Sequence, residues 1–292
     1  MSTGAGKLDQ FESMFRSALH EVFRYNPPKI SRIVLVTDLD EAAGQALIAT
    51  LQPPLAHLGG EQGLDWQLLP RSAWGSPPAI PTLLKCIQAL QPQLIVAHRH
   101  LLGSVRDLPY TLGSVIDTLS QAQPVPLLLL PSSGELAGRL STDGLERVLA
   151  VTSHITGDDL LVSWAVKLTA DHGELFLAHI EDDITLERYL DVIDRIPGLD
   201  SDDARSKIPQ KLLDQPRDYL STIHQVLTEH EISETIVPIV LLGHALTDHR
   251  RLADTHDVGL IVVNGRDDQQ RAMHGLAHAL AIELRHRPVL VL

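Results

Sequence analysis

Cysteine occurs once in this 292-residue sequence, as Cys86 in the run Leu83-Leu84-Lys85-Cys86-Ile87. A single cysteine excludes an intrachain disulfide framework. In a helical apolar setting it reads as a small buried side chain, which fits a reducing cytoplasm. Basic residues are also short: 24 Lys and Arg stand against 37 Asp and Glu, a net charge of −13. That excess repels phosphate backbones and argues against nucleic acid as a partner. Long apolar runs are missing too. The longest are strand-sized and the first residues form no apolar h-region, so neither a membrane span nor a signal peptide is expected. The sequence also has no Gly-x-Ser-x-Gly elbow, no Gly-x4-Gly-Lys-(Ser/Thr) loop and no Gly-x-Gly-x-x-Gly turn after a strand. These absences remove the readiest enzyme classes.

What the chain has is an internal echo. Arg32-Ile33-Val34-Leu35-Val36-Thr37 is answered by Arg147-Val148-Leu149-Ala150-Val151-Thr152. Gln93-Leu94-Ile95-Val96-Ala97 is answered by Gly259-Leu260-Ile261-Val262-Val263, and Pro124 through Leu130 by Pro288 through Leu292. A period near half the chain means two copies of one unit; solenoid repeats are about 20–50 residues long. The division predicted is an N-terminal amphipathic helix within 1–29, a shortened first copy over 30–131, a polar linker over 132–146 and a second copy over 147–292.

Apolar residues Phe11, Met14, Phe15, Ala18, Leu19, Val22 and Phe23 fall on one helical stripe, predicting a helix over 8–25 that Asn26-Pro27-Pro28 stops. In the second copy the pattern predicts strands at 147–152, 174–180, 235–241, 259–263 and 288–292, with helices near 157–171, 244–256 and 268–285 and a polar helical region reaching about 230. Continuous apolar strands separated by helices imply α/β units: parallel sheets covered on both faces. The first copy has one strand candidate, Leu64–Leu69, where the second has two. One strand and one helix are therefore expected to be missing there.

The stretch Val240-Leu241-Leu242-Gly243-His244, a helix through Val258, and then Gly259-Leu260-Ile261-Val262-Val263-Asn264-Gly265-Arg266 is similar to a block of the universal stress protein family. Over residues 30–292 the order of elements resembles the tandem form of that family. The resemblance implies two doubly wound, Rossmann-like domains of strand order 3-2-1-4-5 and a stress-responsive regulatory role. It also implies adenine-nucleotide sites for ATP or AMP. Family members that bind ATP place Gly-x2-Gly-x9-Gly-(Ser/Thr) after the fourth strand, where bare amides and a helix N-terminus wrap the phosphates.

On that pattern the first copy keeps Gly103, then Gly113-Ser114 with Val115 following, but has His100 at the preceding glycine and His98-Arg99 after the strand. Asp38, between Thr37 and Leu39, matches the family's acid; it can accept hydrogen bonds from a nucleoside or cap the helix beginning near Glu41. The second copy is poorer. Ser153 replaces the acid, Gly265 and Gly275 keep the nine-residue spacing, and Leu276 replaces the hydroxyl. Anchored on the strand instead, Asn264, Arg266 and Asp267 take the places of the family's Gly, Arg and second Gly.

The expected function is a non-catalytic nucleotide-binding or regulatory protein with degenerate ATP motifs. The alternative is an interaction scaffold with both pockets empty. No base, paired carboxylates or metal set assembles around the motif, although Arg99 and Arg106 could serve as cations and Asp107 as a metal ligand. The i, i+4 pair His274/His278 and the pair His98/His100 read as exposed or capping histidines rather than zinc ligands. Two copies facing each other across a pseudo-twofold axis are expected to pair their terminal strands, Val125–Leu130 and Val289–Leu292. A homodimer beyond that is possible on the same resemblance.

Overall fold

The structure, a computed structural model, describes residues 21–103, 110–131, 145–152, 155–196, 201–265, 273 and 275–292. Among these, nine strands form one sheet in the order β2-β1-β3-β4-β9-β8-β5-β6-β7. In the first half, β1 (Arg32–Val36), α1 (Glu41–Leu55), β2 (Asp65–Leu69), α2 (Ile80–Leu90), β3 (Leu94–His98), α3 (Ser114–Ala122) and β4 (Leu127–Leu130) alternate. The second half continues with β5 (Arg147–Thr152), α4 (Asp159–Leu168), β6 (Glu174–Asp182), α5 (Asp183–Ile193), α6 (Ser201–Glu229), β7 (Thr235–Gly243), α7 (Ala245–Thr255), β8 (Leu260–Val263), α8 (Gly275–Glu283) and β9 (Val289–Val291).

The second half has the full 3-2-1-4-5 order, as β7-β6-β5-β8-β9, and the first half has it without the third strand. That is the shortening the single strand candidate at 64–69 predicts. Pairing within each half is parallel, and β4 meets β9 antiparallel through Leu127↔Val291, Leu128↔Leu290 and Leu129↔Val289. The two terminal strands therefore lie together as expected. Each removes the other's open apolar edge, an aggregation hazard if left bare.

Burial explains the strand composition. Alternate residues of one strand feed opposite cores: Ile33 and Leu35 pack with α1, α4 and α6, while Val34 and Val36 pack with α2, α3, α7 and α8. A strand covered on both faces has no position for a polar side chain, so β4 reads Leu-Leu-Leu-Leu and all four are buried.

The expected helix over 8–25 is not continued by its last residues: 21–30 carry no regular secondary structure, and 1–20 lie outside the described residues. The physical reason is lateral capture. Phe23 N–H donates to Thr222 Oγ1 (3.1 Å), Arg24 N–H to Asp159 Oδ1 (3.2 Å) and Asn26 N–H to Ser163 Oγ (3.1 Å). Amides held by side chains of α4 and α6 cannot also close helical turns. Phe23 is buried edge-on against Tyr219, so this segment straps the first half onto the second. Of the linker, residues 132–144 lie outside the described residues and Leu145 is buried.

Candidate functional site

Because β4 and β9 are antiparallel, the carboxyl ends of the strands face opposite ways in the two halves. In open α/β sheets ligands enter at that end, where strand order reverses, here between β1 and β3 and between β5 and β8.

In the first cleft the structure brings together Asp38, the loop from His98 to Gly103, and Gly113 at the start of α3. Asp38 Oδ2 accepts the Leu102 N–H at 2.9 Å, so the acid bridges the ends of β1 and β3. It does not cap α1. That position belongs to Asp40, whose Oδ1 accepts from Ala43 N–H at 2.8 Å. Thr37 is buried and its Oγ1 accepts the Leu39 N–H at 3.2 Å, fixing the turn.

The described ends of the loop that would cradle phosphates are bonded to each other. His100 N–H donates to Leu112 O (2.9 Å) and Gly103 N–H to His100 O (2.9 Å). His100 and Leu102 have φ of 61° and 62°, the left-handed region that glycine enters without steric cost. Side chains there cost about 1 kcal/mol each, a strain these hydrogen bonds offset. Gly113 (φ 91°) is needed for a related reason: a Cβ would stand 3.1 Å from His100 Cα. Without a Cβ it admits a neighbouring backbone, whatever its role toward a ligand.

Gly113, not Ser114, holds the N-cap of α3, and no side chain among the described residues caps that end. Ser114 is exposed and Val115 buried. His98 is buried with Nδ1 2.8 Å from Pro131 O, which makes Nδ1 the protonated nitrogen and leaves Nε2 without a hydrogen-bond partner. Burial lowers its pKa, against the opposing pull of the Pro131 carbonyl and Asp38.

Arg99, a possible cation in the sequence and an exposed loop charge by its simpler reading, is instead buried in the junction between halves. Its Nε donates to Ala281 O (3.2 Å), Nη1 to Arg285 O (3.1 Å) and Nη2 to Arg287 O (3.2 Å). A guanidinium fork there satisfies carbonyls at and beyond the end of α8, where the helix dipole favours a cation. Arg106 and Asp107 lie outside the described residues.

In the second cleft the decisive residue is Asp158, which the family pattern does not pick out. It caps α4 by accepting Leu161 N–H (3.2 Å), accepts Asn264 Nδ2–H at 2.5 Å from the end of β8, and is bonded by the Thr152 hydroxyl from the end of β5. Burial raises its pKa to about 6 despite those three donors. Asp159 next to it accepts the Tyr219 hydroxyl at 2.7 Å as well as the strap. Burial, then these carboxylates, push that phenol's pKa up. A Cβ at Gly157 would lie on the Glu21 carboxylate, so the strap brings a third acid to this mouth.

Gly265 is buried, donates its N–H to Leu292 O at 3.1 Å, and would clash with Val291 if it carried a Cβ. Gly275 (φ 54°) opens α8, and a Cβ added there would meet nothing within 4 Å among the described residues. Ser153, Arg266, Asp267 and His274 lie outside the described residues, which hold no group of three or more metal-ligating side chains. The signal that could have found Asp158 is Gly157-Asp158-Asp159 ahead of an apolar helix, a capping pattern matching Asp40-Glu41 in the first copy. No helix of the described residues is long and apolar enough to cross a membrane.

No family model matches the sequence, and no curated protein matches it. Solved structures do. A universal stress protein from Archaeoglobus fulgidus DSM 4304 aligns over 90% of this chain and 96% of its own, with TM-score 0.50 and 13% identity. A Pseudomonas aeruginosa PAO1 protein of unknown function aligns over 90% and 92%, with TM-score 0.49 and 15% identity. At such identity the likeness to the Archaeoglobus protein is one of fold: this chain has the architecture of a universal stress protein.

Proposed function

We propose that this chain is a non-catalytic regulatory protein of the universal stress protein family that works by protein contact, with degenerate nucleotide motifs in both halves. One observation carries the reading. Among the described residues, groups that would receive a nucleotide in the first cleft are already bonded to one another: Asp38 to Leu102 N–H, and His100 and Gly103 N–H to neighbouring carbonyls. A phosphate would have to displace these bonds, each worth about 1 kcal/mol net and more where charged. In the second cleft it would also meet Glu21, Asp158 and Asp159. Among the described residues, nothing in either cleft pairs a free general base with a positioned nucleophile, so binding without turnover is the expectation should a nucleotide enter.

The direct test is titration of the purified protein with ATP and AMP, after checking for adenine absorbance released on denaturation. No release and no saturable binding supports the proposal. Stoichiometric nucleotide overturns it in favour of the second reading, a nucleotide-responsive first half. The uncapped N-terminus of α3 with exposed Ser114 beside it favours that second reading. Under it, Gly113→Val abolishes binding and a change confined to Gly275 does not. Sustained phosphate release with magnesium, lost in Gly113→Val, would make the protein an enzyme and sink both readings.

A further inference from the structure

The sheet ends at β7, which pairs with β6 along its full length and meets no second strand among the described residues. Helix α6 packs across β6 and β7 on one face, and between α6 and β7 an open groove of about 450 Å³ remains. Ile236, Pro238 and Val240 are alternate residues of the strand and share one face. With the buried Leu220 they form an apolar floor, and Ile236 and Val240 also pack against the core beneath it. The floor is therefore held in place by the core.

The opposite wall is one face of α6. Arg217, Ser221 and His224 fall at i, i+4 and i+7 and supply the polar side chains of the lining. No carboxylate among the described residues lines the groove, which in a chain of net charge −13 is a local reversal of sign. Arg217 Nη1 stands 3.6 Å from Asp214 Oδ1, beyond hydrogen-bond distance, so Asp214 does not use up the donors of the guanidinium. Because α6 ends at Glu229 and β7 begins at Thr235 after a short reversal, the two run in opposite directions. Arg217 therefore stands at the Val240 end, with His224 nearer Ile236.

We propose that this groove, outside both clefts, binds a medium-chain carboxylate: an unbranched chain of roughly ten carbons laid over Val240, Pro238 and Ile236, its anionic head on Arg217. Dimensions and charge select that ligand. From Ile236 to Val240 the floor spans about 13 Å at ~3.3 Å per residue, the length of such a chain. An amphipathic helix, about 10–12 Å across, would need upwards of roughly 1,000 Å³ over the same span, more than twice what the groove holds. Small-ligand sites, by contrast, begin near about 300 Å³. A peptide strand laid along β7 would find no N–H at Pro238, midway along the edge. Among apolar ligands that fit, the guanidinium and the Ser221 hydroxyl one turn along favour an anionic head over a neutral one.

The experiment is isothermal titration of the full chain with hexanoate, octanoate, decanoate and dodecanoate, each below its micellar concentration. Affinity should rise about two- to fourfold per methylene, as apolar carbon leaves water, and level off past roughly ten carbons where the floor ends. Decanoate should bind about tenfold more tightly than decanol, and Arg217→Gln should remove that advantage while leaving decanol unchanged. Ser221→Trp, at an exposed position, fills the groove and should abolish binding of both. Circular dichroism confirms that the variants fold. Failure of decanoate to saturate by roughly 1 mM, an affinity flat in chain length, or wild-type behaviour of either variant would overturn the proposal. Binding to phosphatidylglycerol vesicles without binding to dispersed decanoate would overturn it too, by making the ligand a lipid surface. ATP or AMP binding in either cleft leaves these outcomes unchanged, so this site stands or falls apart from the reading above.

Discussion

The two clefts solve the same geometric problem with different chemistry. Each lies where strand order reverses, and each is bridged by an aspartate. In the first half Asp38 reaches across to a backbone amide, Leu102 N–H, and the neighbouring loop closes on itself. In the second, Asp158 reaches a side-chain amide, Asn264, while also capping a helix. A bridge to backbone engages a main-chain amide of the loop after β3. A bridge between side chains leaves the backbone alone but buries a carboxyl group. Among the described residues the first cleft thus carries main-chain hydrogen bonds and the second a cluster of carboxylates.

The junction between the halves is where a substitution should do most damage. Arg99→Ala removes a buried fork from three carbonyls of the other half and leaves a cavity, so unfolding free energy should fall by about 3 kcal/mol or more. Urea unfolding followed by tryptophan fluorescence and circular dichroism measures this. Two separated transitions in the variant would show that the halves can stand apart, and a single early transition that they cannot.

The buried acid of the second cleft gives a pH signature. With a pKa raised to about 6 in the folded state, Asp158 holds a proton that the unfolded chain releases from about pH 4 upward. The native state binds more protons in that window, so this group's contribution declines as pH rises from about 4 to 6 and is gone above. Between pH 7.5 and 4.5 the stability difference between wild type and Asp158→Asn should move about 2 kcal/mol in the wild type's favour. Denaturant midpoints at the two pH values check it, and a constant difference would mean that the carboxyl is better solvated than its burial implies.

The glycines that open α3 and α8 sharpen the comparison. Gly113 has positive φ and is crowded by His100; Gly275 has positive φ with nothing near it among the described residues. Alanine should cost about 2 kcal/mol at Gly113 and about 1 kcal/mol at Gly275, the excess measuring backbone packing in the first cleft. Equal costs, read from thermal or urea unfolding, would show that the loop around His100 yields. Smallest of all, Ser114→Ala should change stability by less than about 0.5 kcal/mol, because the exposed hydroxyl caps nothing among the described residues. Any larger effect would place that hydroxyl in a contact on which the first-cleft geometry depends.

Much of the fold is legible in the sequence. The echo from Arg32–Thr37 to Arg147–Thr152 marks the two β1-type strands, and the lone candidate at Leu64–Leu69 marks the absent strand, because buried parallel strands leave an uninterrupted apolar signal. The clefts are harder. Asp38 can be read as a bridging acid, but its partner is an amide, and nearly every residue has one. Arg99 reads as a loop cation because its acceptors are carbonyls in the other half. The segment 21–25 keeps a helical stripe while its amides are taken by Thr222 and Asp159, a competition that no local pattern records.

The junction also sets an order of events. Arg99 finds its first acceptor 182 positions further along the chain, and Leu128 finds its pairing partner at Leu290. Contacts so far apart in sequence form late, since the chain between must first be organised. Until then β4 is a bare edge of four leucines, and its persistence is governed by how fast the second half folds. During synthesis the first half should therefore be the more exposed to misassociation, and slow folding of the second half should lower the yield of the whole before it lowers the stability of the finished protein.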